Sequence, residues 1–204
     1  MPTRHASAEP TSVLAILPAP RFTGLAVLDG TGIVPGGFVS WNLRAAQSDA
    51  ERILILRKRL PAALSRFHPT VVVVAIRNCK SAEAAEMREA VEQIALAHGI
   101  PVVCRLVVEA RKLLLGRPGG SAQNALARQL VRGFFPGLAA WKNGANSSRY
   151  RCHAFSALAL ALQELALRAP LSAAAISNVE ALNVSAWNEF LAEQTRKLYP
   201  QENL

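Results

Sequence analysis

Apolar runs separated by short polar or Gly/Pro segments dominate the first part of the chain. Val13–Leu17 is continuously apolar, which is typical of a central strand that is covered on both faces. Phe22–Asp29 and Ile33–Trp41 are two further strand-like segments, and Asp29-Gly30-Thr31-Gly32 between them has the composition of a hairpin turn. The sequence therefore predicts three strands with hairpin connections.

Segments with helical periodicity then alternate with apolar strands. Ser48 and Glu51 form a capping box that predicts a helix through about Phe67, with Pro61 as a kink or break. The further predicted elements are a strand over Val71–Ile76, a helix from Ser81 to about His98, a strand from Pro101 to Val108, a loop from Leu113 to Gly120, a helix from Ser121 to about Phe135, a loop to Ser148 and a long apolar helix from Arg149 to Arg168. This order implies an α/β fold with a mixed sheet and helices on both faces.

Composition divides the chain into three regions. Residues 1–12 are expected to form a flexible arm, residues 13–168 one folded domain, and residues 169–204 a C-terminal extension with a helix near 185–198. No apolar run reaches the length of about 18 residues that a membrane-spanning helix needs. The first twelve residues also lack the apolar core of a secretory signal. These features predict an intracellular protein without membrane contact.

Charge is distributed unevenly along the chain, which has a formal net charge of +9. Nine basic residues lie between Arg105 and Arg151, where the only acidic residue is Glu109. The predicted helix from Ser81 to His98 is the reverse, since it contains four glutamates and a single arginine. Such segregation produces an electric field that attracts polyanions, so nucleic-acid contact and a merely solvated basic surface are the two interpretations.

Four local segments resemble the RuvC-type Holliday-junction resolvases, which belong to the RNase H-like superfamily. They are Ile16–Val27 with its Arg21, Thr23 and Gly24, Ala75–Asn78, Glu109–Gly116 followed by Ala122 and Gln123, and Cys152–Ala161. The resemblance spans about residues 13–168 and is strongest in the order and spacing of these segments. It implies an RNase H-like mixed sheet with an antiparallel three-stranded N-terminal portion and helices on both faces.

The resemblance also implies a nuclease site in which carboxylates hold divalent cations, with Mg²⁺ expected. The matching positions of this chain are Leu17, Arg77, His153 and Ser156, and none is a carboxylate. Leu17 offers no ligand atom, and Arg77 adds positive charge where a cation would bind. We therefore expect no metal or other cofactor and no hydrolysis. A residual metal-dependent endonuclease that uses Glu109 and His153 is a weaker alternative.

Three residues near this site have competing interpretations. Arg77 is an exposed strand-end arginine, a direct phosphate contact or the partner of an acid such as Glu109. His153 is a packed helix histidine, a metal ligand or a polar contact to a bound strand. Trp141 either stacks on a base or anchors its loop on the core.

Basic residues around the predicted site are the candidates for contacts with a nucleic-acid backbone. They are Arg21, Arg77, Arg111, Lys112, Arg117, Arg149 and Arg151. The sequence thus predicts an inactive RuvC-like protein that binds branched or duplex DNA, with DNA favoured over RNA, in Holliday-junction recombination. On this interpretation its location is cytoplasmic or nucleoid-associated.

The alternative to DNA binding is a role in protein interaction. In that case the dead nuclease fold is a structural or assembly scaffold for protein or RNA interaction. RuvC relatives dimerise through the helix that matches Ser81–His98. Glu83, Glu86, Glu89 and Glu92 lie on this helix, and two such helices would repel each other, which weakens the expectation of a homodimer.

Overall fold

The computed structural model describes residues 11–29, 31–76, 82–115, 122–139 and 148–168, excluding the side chains of 122–125 and 148–150. Its elements, in chain order, are β1 (Val13–Leu17), β2 (Phe22–Asp29), β3 (Gly32–Asn42), α1 (Asp49–Phe67), β4 (Val71–Ile76), α2 (Ala82–Ala97), β5 (Val102–Leu106), α3 (Val107–Leu115), α4 (Ala122–Gly133), a short 3-10 turn (Pro136–Leu138) and α5 (Ser148–Arg168). The predicted arm, except for Thr11 and Ser12, and the C-terminal extension lie outside these ranges.

The strands form one mixed sheet in the order β3-β2-β1-β4-β5. β2 is antiparallel to both β1 and β3, whereas β4 is parallel to β1 and to β5. Every residue of β1 is buried, as expected for a continuously apolar strand at the centre of a sheet. The predicted mixed sheet with an antiparallel N-terminal portion is confirmed.

Helices cover both faces of the sheet, as predicted. Val13, Ala15 and Leu17 of β1 belong to an apolar cluster with residues of α3, α4 and α5, which we call the α5 face. Leu14 and Ile16 point the other way, into a cluster with residues of α1 and α2, which we call the α1 face. The period of two along β1 therefore supplies two separate cores.

α5 is enclosed between the sheet and its neighbouring helices. All residues from Ala154 to Leu165 are buried, which is the pattern of a helix in the interior rather than on the surface. Within the described ranges, no helix is long and apolar enough to cross a membrane.

α1 begins at its predicted capping box, in which Ser48 Oγ accepts from the Glu51 N–H and the Glu51 carboxylate accepts from the Gln47 N–H. The helix continues through Pro61 to Phe67, so the predicted break does not occur. Burial of Leu56, Leu60 and Leu64 stabilises the turns on both sides of the proline. This packing offsets the one backbone hydrogen bond that proline removes.

The strand predicted from Pro101 to Val108 is present, but its predicted end is wrong, and the loop predicted from Leu113 is wrong as far as Leu115. The strand ends at Leu106, and α3 follows at once and continues to Leu115. Ala110, Leu113 and Leu114 have the three- and four-residue spacing of a helix face, and all are buried on the α5 face. Because no turn residue separates strand from helix, the valines and leucines gave no boundary signal.

Candidate nucleic-acid interface

The start of α5 crosses β2 at very short range. A Cβ atom on Gly24 would clash with the carbonyl carbon and oxygen of His153. Glycine is therefore required here because of space. Gly24 is paired with Leu17 across the β1–β2 ladder, so this contact places the first turns of α5 beside the carboxyl end of β1.

Three of the four positions that the resemblance matches to the nuclease site lie at the sheet edge formed by the carboxyl end of β1. Leu17 is fully buried in the apolar cluster of the α5 face. Ser156 is 1% exposed, and its Oγ donates to the carbonyl oxygen of Cys152 at 2.8 Å. His153 is half-buried, with its ring centroid 6.2 Å from that of Phe22. Arg77 lies outside the described residues.

The residues at this edge do not fit the Mg²⁺ that the resemblance implies. Leu17 presents only carbon atoms, and the Ser156 hydroxyl is engaged with the helix backbone. A hard cation needs several oxygen ligands, most of them carboxylates in such sites. Among the described residues, no group of three His, Cys, Asp or Glu side chains is placed to hold a metal ion.

Arg111 is a partly desolvated cation near the start of α5. It lies on α3, is half-buried, and its Nε atom is buried without a hydrogen-bond partner in the described part of the chain. Burial lowers the pKa of Arg111, and the nearby thiol of Cys152 partly opposes that shift. Desolvating a guanidinium without supplying an acceptor is unfavourable, which makes Arg111 a candidate for an anion contact at this edge.

The other predicted contact residues differ in their exposure, and some of them lie outside the described part of the chain. Lys112, next to Arg111, is exposed, and Arg21 is exposed in the connection from β1 to β2. Arg151 is half-buried in the first turn of α5 and already has an interaction within the chain. Arg149 lies in the same turn. Its side chain, the whole of Arg117 and the whole of Trp141 lie outside the described part.

Arg44 is a cation at this edge that the sequence analysis missed. Its guanidinium carbon lies 4.8 Å from the centroid of the Phe22 ring, a cation–π distance, and Phe22 in turn faces His153. β3 and β1 are both antiparallel to β2, so their carboxyl ends are at the same edge of the sheet. That topology was the available signal for Arg44, which follows β3.

Glu164 is a second residue whose role was missed. It is 2% exposed on α5 and binds two arginines: Arg105 at 3.0 Å (Nη2) and 3.1 Å (Nε), and Arg168 at 2.7 Å. Arg105 was counted in the predicted basic stretch, but its charge is compensated by this buried carboxylate. It is therefore a structural cation.

The remaining acidic candidates have structural partners. Asp29 accepts hydrogen bonds from Thr31 (N and Oγ1) and Gly32 (N) in the predicted hairpin turn. Glu109 is half-buried in the first turn of α3 and has an interaction within the chain. Both are thus accounted for by contacts inside the fold.

The acidic helix α2 is partly neutralised by its surroundings. Glu83 pairs with Arg52 of α1, Glu92 pairs with Arg88 at 3.3 Å, and Glu89 accepts from Gln93 at 3.2 Å. Burial raises the pKa of Glu83, and the Asp49 carboxyl adds to this, while Arg52 opposes it. The predicted stripe of glutamates is therefore not a row of free charges.

No protein-family model and no curated protein matches the sequence. Solved structures of RuvC from Thermus thermophilus have a similar fold. The T. thermophilus RuvC structure aligns with a TM-score of 0.57 and 22% identity, over 78% of this chain and 96% of the RuvC chain. T. thermophilus RuvC in complex with a Holliday junction substrate aligns with a TM-score of 0.56 and 22% identity, over 74% and 91%. The predicted RNase H-like fold is thereby confirmed.

Proposed function

We propose that this chain is a RuvC-like protein that binds duplex or branched DNA without cleaving it. The observation on which the proposal depends is the composition of one edge of the sheet. Leu17 and Ser156 occupy positions that match a carboxylate site, and the desolvated Arg111 lies by the same end of α5. The similar fold of RuvC, which has been solved with a Holliday junction substrate, supports DNA as the ligand.

The proposed absence of cleavage follows from the chemistry that phosphodiester hydrolysis needs. In RuvC-type sites, metal ions activate a water molecule and stabilise the charge that develops on the phosphate. Leu17 can do neither, and the Ser156 hydroxyl donates to a backbone carbonyl. Arginines supply positive charge for a phosphate, but at neutral pH a guanidinium remains protonated and does not act as a base.

The proposed contact surface combines residues from two helices and two loops. Arg111, Lys112 and Arg151 come from α3 and α5, and Arg21 and Arg44 come from the connections beside them. The proposal also includes Arg77, Arg117 and Arg149, for which only the sequence argument is available. Contacts of this type bind phosphates and do not read bases, so we expect discrimination by the shape of the DNA rather than by its sequence.

Fluorescence anisotropy with labelled four-way junction, duplex and single-stranded DNA tests the binding claim. The logarithm of the association constant should fall linearly with the logarithm of salt concentration, with a slope of about −0.9 per phosphate contact on duplex DNA. Absence of binding to all three probes at low salt would overturn the claim and favour the scaffold interpretation.

A cleavage assay tests the claim of inactivity. The labelled junction is incubated with Mg²⁺ or Mn²⁺ and resolved on a denaturing gel, with T. thermophilus RuvC as the positive control. We expect intact strands at protein concentrations that saturate binding. Metal-dependent cutting that disappears in Glu109→Ala or His153→Ala would contradict the proposal, because it would reveal a working site built from other ligands.

A further inference from the structure

A second basic region lies on α1, which packs on the opposite face of the sheet from α3 and α5. The sequence from Arg52 to Ala82 contains seven Lys or Arg residues and no Asp or Glu. Four of these basic residues are exposed along α1, namely Arg57, Lys58, Arg59 and Arg66. We call these four residues the α1 basic surface.

The charges of the α1 basic surface have no acidic partner in the described part of the chain. None of its residues forms an ion pair with another residue in the described ranges. By contrast, Arg52 in the first turn of the same helix pairs with Asp49 and Glu83. The described residues thus compensate charge at the start of α1 and provide no acidic partner for the basic residues over the rest of the helix.

The dimensions of this surface suit a nucleic-acid backbone. A helix rises about 1.5 Å per residue, so Arg59 and Arg66, which are on the same side of α1, are about 10 Å apart along its axis. Duplex DNA carries one negative charge per about 1.7 Å of its axis, so a segment of this length carries about six phosphates. Arg66 is held in place, since its guanidinium lies 5.1 Å from the ring centroid of Phe67 and against Gly36 of β3.

The α1 basic surface and Arg111 belong to opposite faces of the sheet. α1 packs on the α1 face, whereas α3 and α5 pack on the α5 face. Because α3 and α1 pack on opposite faces of the sheet, we expect a straight duplex segment bound at Arg111 to leave the α1 basic surface free. A second nucleic-acid segment can then bind there.

We propose that the α1 basic surface binds the sugar-phosphate backbone of a second nucleic-acid segment, so that one protein molecule bridges two segments. This inference rests on the proposed function for the first segment. An anionic lipid surface fits less well, because helices that bind membranes present an apolar face. Leu54 is the only large exposed apolar residue of α1.

A capture assay tests the bridging. One duplex is attached to beads, the protein is added at low salt, and retention of a second, fluorescent duplex is measured. We expect retention with the wild type and at least a tenfold loss of retention with the triple variant Arg57→Gln, Lys58→Gln, Arg59→Gln. Loss of up to three phosphate contacts should also reduce the salt slope of capture by about 2–3.

Two controls separate this inference from the proposed function. At a trace concentration of one short duplex, anisotropy reports the surface that binds more tightly, which the proposed function places at Arg111, and the triple variant should bind that duplex within threefold of the wild type. The charge-preserving variant Arg57→Lys, Arg59→Lys should retain capture. A wild type that binds the short duplex but captures no second one would overturn the inference and leave the proposed function intact. Undiminished capture by the glutamine variant would overturn it as well.

Discussion

The arginines near the two ends of α5 differ in whether a carboxylate pairs with them. At the C-terminal end, Arg105 and Arg168 bind the buried carboxylate of Glu164. At the N-terminal end, Arg111 is desolvated, and the described part of the chain supplies no acceptor to its Nε atom. A charge pair at one end holds the fold together, whereas the cation at the other end remains suited to an external anion. Position within the fold, rather than the number of basic residues, therefore distinguishes the compensated arginines from the one that we propose as a phosphate contact.

The largest expected effect comes from restoring an acid at the N-terminal end. Leu17→Asp places a carboxylate at a fully buried position and should reduce the free energy of unfolding by about 3–5 kcal/mol, the range for an uncompensated buried charge. Urea unfolding with and without Mg²⁺ measures this. The neutral variant Leu17→Asn should be less destabilised. Unchanged stability of Leu17→Asp would contradict the burial of this position. Stabilisation of the wild-type protein by Mg²⁺ that His153→Ala removes would contradict our conclusion that this edge cannot hold a metal.

The second prediction tests the close crossing of α5 over β2 at the N-terminal end of α5. Gly24→Ala should cost about 3 kcal/mol, at the upper end of ordinary overpacking, because the new Cβ meets the backbone of His153 rather than a side chain. Thermal and urea unfolding measure the loss. Gly137→Ala is the matched control, since its Cβ would have no neighbour within 4 Å. Equal stability of the two variants would mean that α5 lies farther from β2.

A substitution at the C-terminal end of α5 should reduce stability and leave the affinity for DNA unchanged. Arg105→Gln weakens the compensation of the buried Glu164 and should cost about 1.5–3 kcal/mol, typical of hydrogen bonds to charged groups. Under conditions where the variant is folded, its affinity for the four-way junction should equal that of the wild type. Reduced affinity without reduced stability would move Arg105 into the binding surface and remove the contrast between the two ends.

Arg111 should show the opposite behaviour. Arg111→Gln should weaken junction binding about tenfold, which corresponds to about 1.4 kcal/mol, while the free energy of unfolding stays within about 0.5 kcal/mol of the wild-type value. Anisotropy and urea unfolding on the same preparation provide both numbers. Arg111→Lys keeps the charge and should recover part of the affinity. A destabilised Arg111→Gln with normal affinity would show that Arg111 is a structural cation like Arg105.

The smallest effect concerns the ion pair at the start of α1 and α2. Burial raises the pKa of Glu83, so the folded protein binds this proton more tightly than the unfolded chain does. Its contribution to stability is present at low pH and is lost as pH rises through the raised pKa. Glu83→Gln should therefore gain stability relative to the wild type as the pH rises above the ordinary pKa of a glutamate. Melting temperatures over a pH series check the sign, and a relative loss would contradict the shift.

Much of the fold was predictable because its central strands are continuous apolar runs. Val13–Leu17 and Val71–Ile76 could only be covered strands, and Ser48 marked the start of α1. Prediction failed at Val107–Leu115, where a strand passes into a helix without a turn residue. In that segment, packing on the α5 face decides the structure, and local composition does not.

The candidate site was predictable to a smaller extent. The resemblance matched Leu17, His153 and Ser156 to one site, and Gly24 explains how the start of α5 reaches the end of β1. The pairing of Arg105 with Glu164 joins residues 59 positions apart and depends on how β5 and α5 dock. Arg44 likewise reaches the edge only through the order of the strands. Contacts of this kind are set by the tertiary structure.

Anisotropy of a labelled four-way junction over a salt series tests the central claim most directly. We predict saturable binding at low salt, a linear decrease in the logarithm of affinity with the logarithm of salt concentration, and weaker binding by Arg111→Gln than by Arg105→Gln. Absence of junction binding by the folded wild-type protein at low salt would contradict the account.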